Sequence, residues 1–364
     1  MVINDTAYVG GGADTALWQF NASAKTWIQK SNIGGERKWG AISFVVNGEG
    51  YVGSGDTTGG NGVCASDFWQ YDPVTNNWTR EADFPGGARD GIISFAINDT
   101  GYAGGGIYGI SGSNNDFWKY DPSKNKWTQI SNMPGNNWYA ATFVINNKAY
   151  VATGSADGFS GLTSLWEYDP STGNWTQKSD FPGIGRNSAV GFAANGNGYV
   201  VGGQINYTES FNDVWSYDPV GDKWTQISNS YPTNYSAWMC AFVLGDTAYT
   251  GNGVGFGSSS LIGDNNFYSN IFTTTGITEP SKQQIFLQTY PNPVSDRIFV
   301  TAASNDKINN IDLYNVLGNA LTCSAEISGN SAVVNVIDVP SGVYFLHIKS
   351  AQADIVKKIN VIDK

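Results

Sequence analysis

Asp67-Phe68-Trp69-Gln70-Tyr71-Asp72-Pro73, followed by Trp78, is the phrase whose reading decides the fold. Phe68, Trp69 and Tyr71 are side chains that fit a pleated, half-buried strand. Asp72-Pro73 stops that strand, because proline fixes φ and donates no ladder hydrogen bond. Trp78 opens the return strand. One copy is an ordinary hairpin, but the chain holds five. The first Trp of the pair is Trp18, Trp69, Trp118, Trp166 and Trp215; the second is Trp27, Trp78, Trp127, Trp175 and Trp224, always nine residues later. Successive copies lie 51, 49, 48 and 49 residues apart. A fixed period near 50 is the signature of a repeat architecture.

Each unit holds four strand-like segments. Segment a carries one Phe at a fixed place: Phe44, Phe95, Phe143, Phe192 and Phe242. A polar turn such as Asn98-Asp99 follows, as a tight hairpin needs. Segment b carries Tyr-x-x-x-Gly, starting at Tyr8, Tyr51, Tyr102, Tyr150, Tyr199 and Tyr249, and its glycines predict close backbone approach between neighbouring strands. Segment c is the aromatic phrase, and segment d starts at the second Trp. Four antiparallel strands per unit make a β-propeller blade. Over residues 1–275 the units resemble kelch repeats: glycines ending segment b, an aromatic strand ending in Tyr-Asp, then a Trp. WD40 units would need a Gly-His pair, and these repeats contain no His. The expected fold is all-β, a six-bladed kelch-type propeller followed by a small immunoglobulin-like β-sandwich.

Segment c of the sixth unit, around Phe267, lacks both the Asp-Pro and the second Trp. Met1 to Thr6 match Phe95 to Thr100, the middle of a repeat. The chain is therefore expected to begin partway through segment a of its first blade, with a closing strand and a signal peptide encoded upstream of Met1.

Composition narrows the chemistry. The net charge of −11 argues against nucleic acid or an anionic membrane surface as partner. No run of 18 apolar residues is present, so no transmembrane helix is expected. Three cysteines without metal-ligand spacing give neither a zinc site nor a disulfide framework. The single histidine, His347, lies outside the repeats. That leaves the propeller without His-dependent nucleophilic triads or multi-histidine metal sites. No metal, cofactor or catalytic residue is assigned, and a monomer is expected.

All 13 Trp precede residue 240, and the chain changes character after a linker expected at 276–287. From 288 to 364 alternating strands predict a small antiparallel sandwich. The series Tyr290-Pro291-Asn292-Pro293, Tyr314-Asn315-Val316-Leu317-Gly318, Ser341-Gly342-Val343-Tyr344 and Lys357-Lys358 resembles the C-terminal sorting domain of type IX secretion cargo from Bacteroidota. The resemblance implies type IX machinery as partner, with release from the cell or attachment to the outer-membrane surface. An immunoglobulin-like accessory domain of a glycan-binding kind is the alternative, and it differs in remaining on the mature protein.

In kelch propellers the d–a and b–c loops share the usual ligand face. The d–a loops end at Lys38-Trp39, Arg89-Asp90, Asn137-Trp138-Tyr139, Arg186-Asn187 and Tyr235-Ser236. Lys38, Arg89, Asn137, Arg186 and Ser236 fall at one place in their blades and are expected to ring the channel mouth. Long b–c loops add Tyr108, Phe159, Tyr207 and Phe211. Cations and aromatics around a cavity suit a binding module for a glycan or a protein, since aromatic faces stack on sugars and arginines take carboxylates bidentately. The competing expectation is that Arg89 and Arg186 merely cap loops or pair with Asp83, Asp90 or Asp180. The alternative function is a carbohydrate-active enzyme resembling sialic-acid epimerases, with Glu36, Asp90, Glu209 and Arg186 as acid–base candidates. Galactose-oxidase-like copper chemistry is excluded by the missing histidine ligands.

Overall fold

In a computed structural model, the chain is described from Met1 to Ile362, apart from residues 13, 60–61, 109–111, 158, 229–236, 257–260, 264–266, 272–287, 291–293, 302–306, 316–318, 322 and 351–353. The expected linker, 276–287, lies outside the described residues. The chain divides into two compact units, Met1–Thr274 and Thr275–Lys364.

The first unit is a six-bladed propeller. Blade two is representative, with strands a to d at Ile42–Val46, Glu49–Asp56, Cys64–Asp72 and Asn77–Glu81, each paired antiparallel with the next. Blades three, four and five repeat this order, beginning at Ile93–Ile97, Ala141–Ile145 and Val190–Ala194. In blade one strand a is only Val2–Ile3. Blade six shows three strands among the described residues, Cys240–Leu244, Thr247–Gly251 and Phe267–Ile271.

The core lies between the blades. Phe44, Tyr51 and Phe68 of blade two pack with Ala103, Tyr120 and Trp127 of blade three, and equivalent clusters fill each further interface. Ala7 and Phe20 of blade one pack on Phe242 of blade six, which closes the ring. The repeated phrase supplies this core. Tyr71, Tyr120 and Tyr217 are fully buried, and each donates its hydroxyl to the side chain at the c–d turn, Asn76, Asn125 or Asp222. Those turn residues sit at φ of 57°, 45° and 47° and also accept a backbone N–H from the preceding blade, at Ser31, Ala82 and Ser179. The second Trp staples the same seam: the Nε1 atoms of Trp78, Trp127, Trp175 and Trp224 donate to the carbonyls of Ser31, Ala82, Ser131 and Ser179 at 2.9–3.1 Å. In blade three the residue before the segment-b Tyr must be glycine. A Cβ on Gly101 would lie 2.2 Å from the Phe44 ring of the preceding blade.

The second unit holds two four-stranded sheets. One has the order Gln288–Tyr290, Arg297–Thr301, Ser331–Asn335, Ser324–Ser328; the other is Ala320–Leu321, Ile308–Asn315, Gly342–Ser350, Asp354–Val361. Ile298, Val300, Leu313, Val334, Leu346, Ile348 and Ile359 form its single core. Tyr344 is buried and donates to the Pro340 carbonyl at 2.9 Å, holding the turn of the Ser341-Gly342 motif. Tyr314 lies on the strand beside Gly342–Ser350, and Lys357 and Lys358 lie in the last strand. Pro291, Asn292, Pro293 and Gly318 lie outside the described residues. His347 faces outward, its ring 6.1 Å from Tyr314. No helix in the described residues is long and apolar enough to cross a membrane.

Candidate functional site

The d–a and b–c loops share one face, because they pair with each other. Trp39 bridges Asp56, Asp90 bridges Ile107, Trp138 bridges Ser155 and Asn187 bridges Gln204. Three consecutive residues of each d–a loop do three different jobs.

The first residue is a brace. Lys38, Arg89, Asn137 and Arg186 occupy equivalent places and are each 5% exposed or less. Lys38 pairs with Asp67, Arg89 with Asp116 (2.6 Å) and Arg186 with Asp213, each carboxylate standing two residues before the first Trp of the same blade. That Trp donates its indole N–H to the same carboxylate, at 2.7 Å from Trp69 and 2.8 Å from Trp118 and Trp215. The arginines give further bonds to main chain: Arg89 Nη1 to Gly105 O, and Arg186 Nη1 and Nε to Gly202 O and Ile184 O. Arg186 also lies over the Phe181 and Phe211 rings. The carbonyls at this position tie the blades together, accepting from Gly12, Gly55, Gly106 and Gly154 of the preceding blade at 2.8–2.9 Å. The expected pairing of Arg89 and Arg186 with Asp83, Asp90 or Asp180 is therefore corrected. Asp83 takes Arg80 instead, and Asp180 takes Gln177. Blade four has Asn137 for the cation and Ser164 for the acid, so both charges change together.

The second residue is Trp39, Asp90, Trp138, Asn187 or Ala237 round the ring. Among the described residues, six buried side-chain polar atoms have no partner: Trp39 Nε1, Arg89 Nε, Asn137 Oδ1, Trp138 Nε1, Thr153 Oγ1 and Asn187 Nδ2. Every one lies on a d–a loop or just past the end of a strand b, on this single face. A buried unpaired donor costs about 1–3 kcal/mol, so their concentration at one place calls for a physical reason. Asp90, at the same position in blade three, is a carboxyl whose pKa burial pushes up to about 6, helped by the Asp56 charge and opposed by a 3.3 Å hydrogen bond from the Tyr139 hydroxyl.

The third residue turns the chain. Gly40, Gly91, Tyr139, Ser188 and Trp238 all have positive φ, between 49° and 62°. Their backbones hydrogen-bond from blade to blade: Tyr139 N to Gly91 O, Ser188 N to Tyr139 O and Trp238 N to Ser188 O, at 2.8–3.0 Å. Glycine is required at position 40, where a Cβ would lie 2.3 Å from Gly91 N. Tyr139, Ser188 and Trp238 instead hold side chains in the left-handed region, a conformation that costs of order 1–3 kcal/mol each. Tyr139 and Trp238 thereby join an aromatic cluster. Trp138 lies 4.9 Å from Tyr139, Tyr139 lies 6.5 Å from Trp238, and Tyr207 stacks on Trp238 at 6.0 Å and 26°.

Tyr108 and Phe159 are exposed on the b–c loops, whereas Phe211 packs on Arg186. Tyr235 and Ser236 lie outside the described residues. Glu36 and Glu209 are exposed, and Arg186 is fully committed, so Asp90 alone of the acid–base candidates sits among the unpaired donors. Trp238 was missed by sequence reasoning, although its alignment with Tyr139 was readable from the repeat. The described residues hold no cluster of metal-ligating side chains.

The residues and topology define a kelch-repeat β-propeller carrying a secretion sorting domain. The family model described as the KLHDC2/KLHL20/DRC7 Kelch-repeats domain matches residues 84–253, and the secretion system C-terminal sorting domain matches residues 288–362. The tail implies handling by type IX machinery and secretion or attachment at the cell surface. It is similar to the N-acetylneuraminate epimerase of Shigella sonnei (strain Ss046), 30% identical over 109 residues, 29% of this chain and 30% of that protein. N-acetylneuraminate epimerase 2 of Escherichia coli O6:H1 is 30% identical over 112 residues, again 29% of this chain and 30% of the relative. The match thus spans under a third of the length of these curated relatives. The solved structure of YjhT superposes with a TM-score of 0.61 at 18% identity, over 72% of this chain and 95% of that one, which establishes likeness of fold.

Proposed function

We propose that the propeller is a glycan-binding module, displayed on or released from the cell surface, whose ligand sits at the mouth of the channel on the d–a and b–c loop face. One observation carries this reading. The unpaired buried polar atoms of the described residues gather at that face, three of them N–H donors at a single register position, on Trp39, Trp138 and Asn187. A polyhydroxylated ligand offers many acceptors and apolar C–H faces. The donors would take its oxygens, and the Trp138, Tyr139, Tyr207 and Trp238 cluster would take its faces. The cations first considered for this role are spent inside the blades, so the second and third residues of each loop form the contact set.

The test is a glycan array with the full-length protein and two variants. Trp138→Phe keeps the ring and removes the N–H; Trp238→Gly removes a ring from a position where glycine is unstrained. Binding by the wild type that weakens in both is expected, by roughly 5- to 10-fold for the lost hydrogen bond. A wild type that binds no glycan refutes the proposal.

A second reading, mutarotation of a free sugar, is favoured by Asp90. A carboxyl titrating near pH 6 beside a tyrosine hydroxyl has the protonation range of a general acid–base group. NMR exchange between sugar anomers that Asp90→Asn abolishes would favour this reading over binding alone.

A further inference from the structure

Strands c and d of blade three are Phe117–Asp121 and Lys126–Ile130. Alternation along strand c turns Tyr120 towards blade two and Lys119 and Asp121 towards blade four, the side on which Tyr102 meets Tyr168. Across the two strands Lys119 stands opposite Thr128, and Asp121 opposite Lys126. Together with Asp99, Thr100 and Lys124 they line a depression of about 510 Å³ at the end of the blade away from the channel mouth. That volume is in the range of small-molecule sites.

The charges in it are not balanced. Lys124 pairs with Asp121, whose carboxylate also accepts from Ser123 N and Oγ. Lys119 and Lys126 make no ion pair among the described residues. They stand on a cross-strand diagonal, about 7–8 Å apart at the backbone, so their ammonium groups repel. The repeat shows that the scaffold does not need them. Blade two has Gln70, Thr75 and Asn77 at the places of Lys119, Lys124 and Lys126, and blade four has Glu167, Thr172 and Asn174. Blade five keeps one cation of the three, Lys223. The seam that the depression faces also lacks a side chain. The c–d turn residue of blade four is Gly173 where blades two, three and five have Asn76, Asn125 and Asp222, and no heavy atom lies within 4 Å of where its Cβ would stand.

We infer that this depression is a second binding site, for a small sugar bearing a phosphate or sulfate ester. An ammonium group is a point charge that suits a tetrahedral oxyanion, whereas a planar carboxylate is matched by the arginine fork, and no arginine lines the depression. The lysines and the hydroxyls of Thr100 and Thr128 supply donors from two strands and a turn, as the several oxygens of an ester group require. An anion between Lys119 and Lys126 turns their repulsion into attraction. Asp99 is exposed and has no hydrogen-bond partner among the described residues, so it is an acceptor for the sugar hydroxyls. The site shares no residue with the channel mouth and does not depend on the glycan reading made there.

The experiment is calorimetric titration of the full chain at low ionic strength, where exposed charges are least screened. The probes are glucose 6-phosphate, glucose 6-sulfate, glucose and inorganic phosphate. The proteins are wild type, Lys119→Gln, Lys126→Asn, their double variant and Lys223→Asn. Glutamine and asparagine are the residues blade two carries at these places, so the fold bears them, and each single variant stands as a test if the double melts lower. Both esters should bind wild type at least ~10-fold more tightly than glucose or inorganic phosphate. Each single variant should weaken the esters roughly 3- to 5-fold, the contribution of an exposed charge, and the double by ~10-fold or more. Lys223→Asn should leave them unchanged. Esters that bind no better than glucose, or undiminished in the variants, overturn the inference. Inorganic phosphate binding as tightly as the esters overturns the assignment of a sugar, and an equal loss in Lys223→Asn shows a general charge effect and overturns the site.

Discussion

Replacing Asp213 by Ala is expected to destabilise the propeller by about 3–5 kcal/mol, because it strands a buried guanidinium. Arg186 is 1% exposed, and Asp213 answers it with both oxygens, one of them 3.1 Å from Nη2. The carbonyls of Gly202 and Ile184 remain as partners, but neither carries charge. Trp215 Nε1 loses its 2.8 Å acceptor as well, adding about 1 kcal/mol. Arg186→Met removes the charge and keeps an apolar stem between Phe181 and Phe211. The double variant should therefore be no less stable than Asp213→Ala alone, with a coupling energy of at least about 2 kcal/mol. Guanidinium chloride unfolding followed by tryptophan fluorescence suits the question, because all 13 Trp lie in the propeller. A single-variant cost below about 1 kcal/mol, or strict additivity in the double, would refute the view that these cations are structural braces.

Three further outcomes are expected. Trp127→Phe removes the 3.0 Å bond to the Ala82 carbonyl across the blade seam and should cost about 1 kcal/mol in the same unfolding assay. Trp238→Gly relieves a left-handed side chain at φ 51°, so it should melt no lower than wild type while binding less glycan; a large drop in melting temperature would contradict this. Asp90 is protonated more readily in the fold than in the unfolded chain, so its contribution to stability is fullest below about pH 4 and declines as pH rises through about 6. Set against Asp90→Asn, which does not titrate, the wild type should lose about 2–3 kcal/mol between pH 4 and pH 7, and a flat difference would remove Asp90 from the buried cluster.

The propeller was legible because its repeat records packing between blades. Tyr71 with Asn76, and Trp78 with Ser31, recur in register, and recurrence marks scaffold. The channel mouth was legible only as a register position. Sequence placed Lys38-Trp39, Arg89-Asp90 and Arg186-Asn187 together, and it could not separate the two members of each pair. Consecutive side chains point to opposite sides of an extended segment. Thus Arg89 turns into its blade towards Asp116, 27 residues on, while Asp90 meets Tyr139 of the next blade. One clue was available: cation and Asp-x-Trp occur together in three blades and are replaced together in blade four. The positive φ of Tyr139, Ser188 and Trp238 left no trace in composition, because none of the three is a residue type that favours it.

The central claim separates indoles that brace the blades from indoles that await a ligand. It is tested most directly by ¹⁵N-indole NMR of the full chain, with signals assigned through Trp39→Phe and Trp138→Phe, during titration with the glycan selected on the array. The Trp39 and Trp138 N–H resonances should move downfield as they gain acceptors, while those of Trp69, Trp118 and Trp215, already bonded to Asp67, Asp116 and Asp213, stay in place. Shifts in the braced set with Trp39 and Trp138 unmoved would contradict the account.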